Sequence, residues 1–300
     1  MLLVDRFGRP LTKLRISITN RCNYDCIFCH KEGLIEEDSP EASPREIASL
    51  VSYFADLGVS DVKITGGEPL IRGDLEEITL GISQIDGIEE VSMTTNASML
   101  EGRAEGLREA GLTRLNVNLP TTDATVYEAL TRARLQPAIS GALSAERAGI
   151  WPIKLNMLLI RGYNDEHFGR VFRFAREHGF MLQVIELEPR GRASHGDFFE
   201  RHHVDLSRVK RFLDGEAVKK ESRGFQKRTV YHFYDGFRVE IVDPLTNMGF
   251  CKSCTRMRVT PDLRLKPCFM RDDNLVTVDS TLSNLGQAIL RANRWREPYF

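Results

Sequence analysis

No stretch of this chain approaches the roughly 20 consecutive apolar residues that a membrane-spanning helix requires. Residues 1–10 carry Asp5, Arg6 and Arg9 where a secretory leader needs an apolar centre. Neither a membrane protein nor a secreted one is expected, and the reading is a soluble, cytoplasmic chain. An excess of one charge is also missing: 41 Lys and Arg against 42 Asp and Glu leave a formal net charge of −1. That removes the field expected of a protein for nucleic acid or anionic membrane, while a local cationic cluster could still meet a smaller anion. Internal repeats and low-complexity tracts are lacking. Cysteine is sparse, six in 300 residues, yet all six fall into two tight triplets, Cys22/Cys26/Cys29 and Cys251/Cys254/Cys268.

What is present from residue 14 to about 187 is an alternation of short β-rich runs with amphipathic stretches. Strands are expected over 14–19, 61–65, 90–94, 114–119, 153–160 and 181–187. Helices are expected over 45–57 after Ser43-Pro44, 75–85 after Asp74, 124–130 after Asp123 and 166–178 after Asp165, with Gly58, Gly111 and Gly179 as stops. Six βα repeats with right-handed crossovers predict an α/β chain: a partial, TIM-like barrel of six strands, with chemistry on the loops at the strands' C-terminal ends. After Pro189 the pattern changes to a polar Gly/Arg/His stretch, a helix near 206–213, a hairpin of 230–234 and 237–242 around Asp235-Gly236, and a closing helix near 281–293. The expected organisation is a barrel over 1–190 and a smaller α+β subdomain over 191–300.

The first triplet lies in the loop after the first strand and offers three thiolates from eight residues. That suffices to wrap a cubane iron–sulfur cluster and leave one iron without a protein ligand. Structural zinc wants four closed ligands, and His30, directly after Cys29, is poorly placed to be the fourth. Disulfides fit neither the tight grouping nor a reducing compartment. The second triplet, with spacings x2 and x13, likewise has no fourth ligand within its motif.

Cys22-Asn23-Tyr24-Asp25-Cys26-Ile27-Phe28-Cys29 resembles the CxxxCxφC loop, φ being aromatic, of the radical S-adenosylmethionine (SAM) superfamily. The resemblance implies a [4Fe–4S] cluster whose open iron binds the amino and carboxylate groups of SAM. One electron then cleaves SAM to methionine and a 5′-deoxyadenosyl radical. It also places Phe28 near the adenine, although loop packing is an alternative for that ring. Thr65-Gly66-Gly67-Glu68-Pro69 by itself is only a glycine turn. Here it is similar to the superfamily's GGEP segment, and Gly67 is expected to receive the methionyl amine. Asn118 matches a position where serine usually touches SAM, and either side chain can hydrogen-bond.

Cys251-x2-Cys254-x-Arg256-x-Arg258, closed by Cys268, resembles the CxxCxRxR…C arrangement of the GTP 3′,8-cyclase family. That resemblance begins at Asp5-x-Phe7-Gly8-Arg9 and recurs at Lys63, Thr94-Thr95-Asn96 and Pro152-Ile153-Lys154-x-Asn156, so it covers nearly the whole chain. It implies a second [4Fe–4S] cluster whose open iron binds the guanine of GTP. It also implies a triphosphate met by Arg15, Lys63, Lys154, Arg256 and Arg258, with Thr94 as a hydroxyl partner. A lone Arg or Lys is usually a solvated surface charge or an ion-pair partner, but these positions match the family motif, and a barrel strand does not normally point a cation inward without purpose. Lys63 stands where the family often has arginine, which keeps charge and loses forked bonding.

The implied reaction has the deoxyadenosyl radical take hydrogen from C3′ of GTP. The C3′ radical then attacks C8, and one electron and one proton complete 3′,8-cyclo-7,8-dihydroguanosine triphosphate, the first step of molybdenum cofactor biosynthesis. Arg256 and Arg258 are the residues expected to act on GTP during catalysis. The expected partners are GTP, SAM, an external one-electron reductant and a downstream cyclic pyranopterin monophosphate synthase; the oligomeric state is open, a homodimer included. Two departures from the family stand out: Glu188 where a methionine often contacts SAM, and an ending of Arg296-Glu297-Pro298-Tyr299-Phe300 in place of a Gly-Gly tail. The competing readings are a radical SAM peptide or protein maturase with an auxiliary cluster, and a non-catalytic module stabilised by zinc.

Overall fold

The computed structural model describes residues 2–34, 40–279 and 281–299. Its strands and helices run β1 Lys13–Ser17, α1 Pro44–Asp56, β2 Asp61–Thr65, α2 Leu75–Ser83, β3 Glu90–Thr95, α3 Ala104–Glu109, β4 Arg114–Asn118, α4 Ala124–Thr131, α5 Leu135–Arg147, β5 Ile153–Leu158, α6 Phe168–Glu177 and β6 Met181–Ile185. There follow α7 Phe198–His202, α8 Ser207–Glu216, β7 Lys219–Ser222, β8 Thr229–His232, β9 Arg238–Val242, β10 Arg256–Val259, β11 Leu265–Lys266 and α9 Leu285–Arg294.

All eleven strands form one sheet in the order β11-β10-β1-β2-β3-β4-β5-β6-β9-β8-β7. The six expected strands sit together at its centre, all parallel. Chain beyond residue 190 does not stand apart from them: β10 adds to β1 in parallel at one side, and β9 adds to β6 in parallel at the other. The hairpin around Asp235-Gly236 is present, as β8 and β9 paired antiparallel.

Each central strand divides its side chains by face, as the two-residue period requires. Leu14, Ile16, Val62, Ile64, Met93, Leu115, Val117, Leu155, Leu182 and Val184 belong to the buried core, which the helices complete through residues such as Leu50, Phe54, Ile78 and Val171. The alternate positions are polar: Arg15, Lys63, Thr94, Asn116, Asn156 and Gln183. They line a shared cavity. A cavity reached by one face of six neighbouring strands identifies the curled sheet of a partial barrel.

Side-chain caps mark the starts of α1 and α4. Ser43 forms a reciprocal capping box with Glu46 ahead of Pro44, and Asp123 accepts bonds from Thr125 N and Val126 N. Gly58, Gly111 and Gly179 adopt φ of +93°, +97° and +67° just past α1, α3 and α6. Asp165, in contrast, does not start α6. Its carboxylate accepts from Gly162 N at 2.9 Å, and the helix begins after His167, whose Nδ1 is 2.7 Å from the Thr121 hydroxyl. Helices α5 and α7 were not expected, and of α3 only its stop, Gly111, was. Among the described residues no helix is long and apolar enough to cross a membrane.

Candidate active site

The cavity encloses about 300 Å³ and is lined by all six cysteines. None is in a disulfide. Cys22, Cys26 and Cys29 come from the loop after β1. Cys251 and Cys254 flank the turn before β10, and Cys268 follows β11. Burial pushes the Cys22 thiol up to about 11 and raises Cys26, Cys29 and Cys268 as well. Iron bound here would supply the charge that reverses this and holds such sulfurs as thiolates. Three thiols in each set, Cys22 exposed and the other five partly so, face one cavity and are donors suited to clusters that each retain an open iron.

Backbone close approach fixes the first loop. A Cβ on Gly67 would lie 2.1 Å from Arg21 O. The glycine lets its own N–H donate to Thr19 O at 2.7 Å and that of Glu68 to Arg21 O at 2.8 Å. Here the GGEP glycines admit the cysteine loop itself, a closer demand than the ligand approach expected from the sequence. The Glu68 carboxylate then accepts from Thr95 Oγ1 at 2.6 Å, Asn96 N at 2.7 Å and Leu70 N at 3.1 Å, tying β2 to β3. From the other side Arg192 grips the loop: its N–H donates to Cys29 O at 2.9 Å and its guanidinium to Cys26 O at 3.1 Å. Gly191 makes room for this, since a Cβ there would meet Cys29 O at 2.4 Å.

Register builds the cationic wall. Arg258 on β10 pairs with Arg15 on β1, which pairs with Lys63 on β2. Three cations thus stand side by side on neighbouring strands, where like charges repel, and Glu32 pairs with Arg15 alone among them. Arg256, two residues before Arg258, shares their face. Both are half-buried; Arg256 stacks on Phe225 and Arg258 on Phe269, each 4.8 Å from the ring centroid. Nη1 of Arg258 is buried with no partner. Burial, then the neighbouring guanidinia, lowers the affinity of Arg256 and Arg258 for their protons, and Lys63 is driven well below the usual lysine range by burial and by Arg114 and Arg15. Lys63 instead donates to Asn116 Oδ1 at 2.7 Å. Among the described residues none of Lys63, Arg228, Arg256 and Arg258 makes an ion pair. A polyanion bound here would relieve all four.

Phe28, Gly67, Asn118 and Thr94 line the same cavity, with Asn118 Oδ1 accepting from Asn156 Nδ2 at 3.0 Å. Lys154 does not line it. Its ammonium is spent on buried Glu240 at 2.8 Å, 86 residues away. Burial raises the Glu240 carboxyl, but Lys154, Arg228 and Arg223 outweigh that and hold it well below the usual range. Breaking a buried pair costs about 3–5 kcal/mol, and Arg223, 2.9 Å from Glu240, shares the load. Lys154→Met is therefore expected to lower stability by about 3 kcal/mol, read as a fall in Tm, with a larger effect on melting than on KM for nucleotide.

The sequence reading missed Arg228, Glu32, Arg192 and the cavity-facing role of Arg9. Arg228 lines the cavity behind Phe225 and Phe250, its guanidinium 5.3 and 5.6 Å from their centroids. Glu32, at φ +52°, accepts from both Arg15 Nε at 2.7 Å and the adjacent Nη2, and from Thr65 Oγ1 at 2.9 Å. It is an acid three residues past Cys29 with no motif to flag it.

Comparisons with known proteins agree with this geometry. Residues 16–175 match the family model described as the radical SAM superfamily, and residues 180–297 match that described as Molybdenum Cofactor Synthesis C. Relatives named "Probable GTP 3′,8-cyclase" include one from Methanothermobacter thermautotrophicus, 41% identical over 100% of this chain and 99% of its own. One from Archaeoglobus fulgidus is 39% identical over the same shares. This chain belongs to the GTP 3′,8-cyclase family of the radical SAM superfamily. Membership implies a [4Fe–4S] cluster and SAM, and the first cysteine loop is built to hold the former. Solved structures share the fold at low identity. Streptococcus suis SuiB bound to S-adenosylmethionine matches at TM-score 0.64 and 16% identity, covering 88% of this chain, which spans 62% of SuiB. Methylornithine synthase matches at TM-score 0.58 and 15% identity, covering 95% of this chain and 81% of its own.

Proposed function

We propose that the chain is a GTP 3′,8-cyclase, converting GTP to (8S)-3′,8-cyclo-7,8-dihydroguanosine 5′-triphosphate in the first step of molybdenum cofactor biosynthesis. The observation that carries this reading is the in-register row Arg258, Arg15 and Lys63 beside both cysteine triplets. Cys22, Cys26 and Cys29 would hold one [4Fe–4S] cluster, which would supply the electron for SAM cleavage, and Cys251, Cys254 and Cys268 would hold a second, which would offer a metal site to the purine. Phe28, Gly67 and Asn118 position SAM. Arg15, Lys63, Arg256 and Arg258 hold the triphosphate with Thr94, and Arg228 joins them. Lys154 acts at one remove, by neutralising Glu240 beneath that wall. Arg256 and Arg258 also hold the nucleotide in place while C3′ and C8 are joined, so that positioning supplies much of the acceleration.

The division at residue 190 is functional on this reading: residues 1–190 carry SAM chemistry, and 191–300 bring the second triplet together with Arg228, Arg256 and Arg258. The enzyme works in the cytoplasm, drawing single electrons from an external reductant and passing its product to a cyclic pyranopterin monophosphate synthase. The test is anaerobic: reconstitute with iron and sulfide, reduce with dithionite, add SAM with or without GTP, and quantify 5′-deoxyadenosine and cyclised nucleotide. GTP-dependent deoxyadenosine with a new cyclised product is the expected result. SAM cleavage indifferent to GTP would instead favour a maturase acting on another substrate.

Glu188 gives this reading a pH signature. It lines the cavity, and burial pushes its carboxyl up to about 7, against the opposing pull of Arg258 and Arg228. A triphosphate brought onto those arginines repels the ionised form further. GTP binding is thus expected to take up a proton at Glu188 and to weaken as pH rises through 7. Glu188→Gln, neutral throughout, should bind more tightly above pH 7 and lose the part of the pH dependence that does not belong to the nucleotide. Calorimetry in two buffers of different ionisation enthalpy reads the proton directly.

A further inference from the structure

The residues that open and close the chain meet at the second triplet. Asp5 is buried, and its carboxylate accepts from Phe7 N at 2.9 Å, Arg9 N at 3.0 Å and Arg9 Nε at 2.7 Å. Gly8, at φ +75°, lets residues 5–9 fold into the turn that makes these bonds. Arg296, 1% exposed, lies 3.7 Å from the same carboxylate and donates to Asn293 Oδ1 at 3.0 Å, Arg9 O at 3.3 Å and Pro10 O at 3.3 Å. The two guanidinia then diverge. Arg9 Nη1 donates to Cys251 O at 2.8 Å, and Arg296 Nη2 donates to Cys254 O at 2.8 Å. Both cysteines of the CxxC half of the triplet are therefore held by their carbonyls, from a buried group of one carboxylate and two guanidinia with a surplus charge of one.

One donor in this group is unused. Arg9 Nη2 is buried with no partner, and Arg9, 6% exposed, lines the cavity alongside Cys251 and Cys254. Leaving a charged donor buried and unmatched is costly, and nothing in the core explains it. Its other neighbour is the Phe7 ring, 5.6 Å from the guanidinium, which offers a π face. A cluster bound by the second triplet would bring acceptor sulfur and negative charge to this place.

We propose that Asp5, Arg9 and Arg296 form a clamp that positions the second triplet and sets the reduction potential of the cluster it holds, with Arg9 Nη2 as a hydrogen-bond donor to sulfur of that cluster. The inference rests on the reading that the second triplet holds a cluster. Hydrogen bonds to sulfur and nearby positive charge favour the reduced, more negative state and raise the potential. Arg9 and Arg296 are positioning residues on this account; neither needs to touch GTP or SAM.

The test uses the full chain, reconstituted anaerobically. The second cluster is isolated spectroscopically by carrying Cys22→Ser, Cys26→Ser and Cys29→Ser together, and its reduction is followed by electron paramagnetic resonance during a redox titration. Arg9→Met is expected to disfavour reduction by on the order of tenfold, which for one electron is about 59 mV towards negative potential. Arg9→Lys, which keeps the charge, should recover most of it. Arg296→Met keeps Arg9 Nη2 and should instead lower iron and sulfide retention at this site. In the unmutated first-loop background, GTP-independent SAM cleavage should be unchanged in all three. If Arg9→Met only melts earlier while the potential stays put, the clamp is merely structural and the proposal falls. Where Arg9→Met does not fold, the neutral Arg9→Gln takes its place, and an unchanged potential there together with full iron retention in Arg296→Met overturns the proposal equally. A parent chain that takes up iron for one cluster alone would sink the two-cluster reading itself.

Discussion

Arg258→Ala should abolish cyclisation while leaving iron content and GTP-independent SAM cleavage near those of the parent. The side chain stands in register with Arg15, with Lys63 beyond it, and its Nη1 is buried without a partner. Such a group is poorly satisfied in the empty protein and fully used only by an anion. Two charge-assisted bonds, at about 1.5–3 kcal/mol each, correspond to a loss of at least about 100-fold in kcat/KM for GTP. Stability should move the other way: removing one of several crowded, half-buried like charges relieves repulsion, so Tm should hold or rise. Turnover assays with GTP and a melting curve on the same preparation check both halves. A variant that kept full GTP turnover would remove Arg258 from the nucleotide site, and one that lost iron as well would make its role structural.

That opposition between stability and function explains why some of the site was legible and some was not. Cys22, Cys26 and Cys29 lie within eight residues, so their chemistry is written in local spacing. Arg256 and Arg258 lie close behind Cys254 for the same reason. The central strands were legible because Arg15, Lys63, Thr94 and Asn116 interrupt apolar runs at every second residue. Lys154 shows the limit of that argument. It has the right period and faces the right side of β5, yet Glu240 arrives beside it from 86 residues later and takes its charge. No local pattern announces this, just as none announces that Arg9 and Arg296, 287 residues apart, share one carboxylate.

The helices missed in the sequence have equally concrete causes. Helix α5 contains Pro137 and Gly141, both of which argue against a helix interior. Gly141 is nevertheless required, since a Cβ there would sit 1.9 Å from Ala97 O; α5 packs too close to the loop after β3 for any other residue. Helix α3 spans only six residues, too few for a 3.6-residue period to show. Packing across the fold decides these elements, and it can override propensity wherever backbones must meet.

Gly191 is where that kind of packing bears most directly on function. It follows Arg190 in the polar stretch after β6, at φ +59°, and a Cβ would lie 2.4 Å from Cys29 O and 2.5 Å from His30 Cα. Gly191→Ala therefore carries two penalties: a left-handed backbone, at about 1–3 kcal/mol, and a clash with the backbone of the first cysteine loop that no rotamer can avoid. The loop must shift, and with it go the Arg192 bonds to Cys29 O and Cys26 O that hold two of the three ligands in place. The expected result is loss of the first cluster and of SAM cleavage, while the second triplet, at the other end of the cavity, still takes up iron. Gly196→Ala separates the two penalties, because Gly196 has nearly the same φ, +58°, with nothing within 4 Å of the added carbon. It should cost a little stability and leave iron content whole. Iron and sulfide per chain for the two variants, measured after identical anaerobic reconstitution, decide the matter: roughly equal iron in both would mean that the first loop does not depend on the close approach of residue 191.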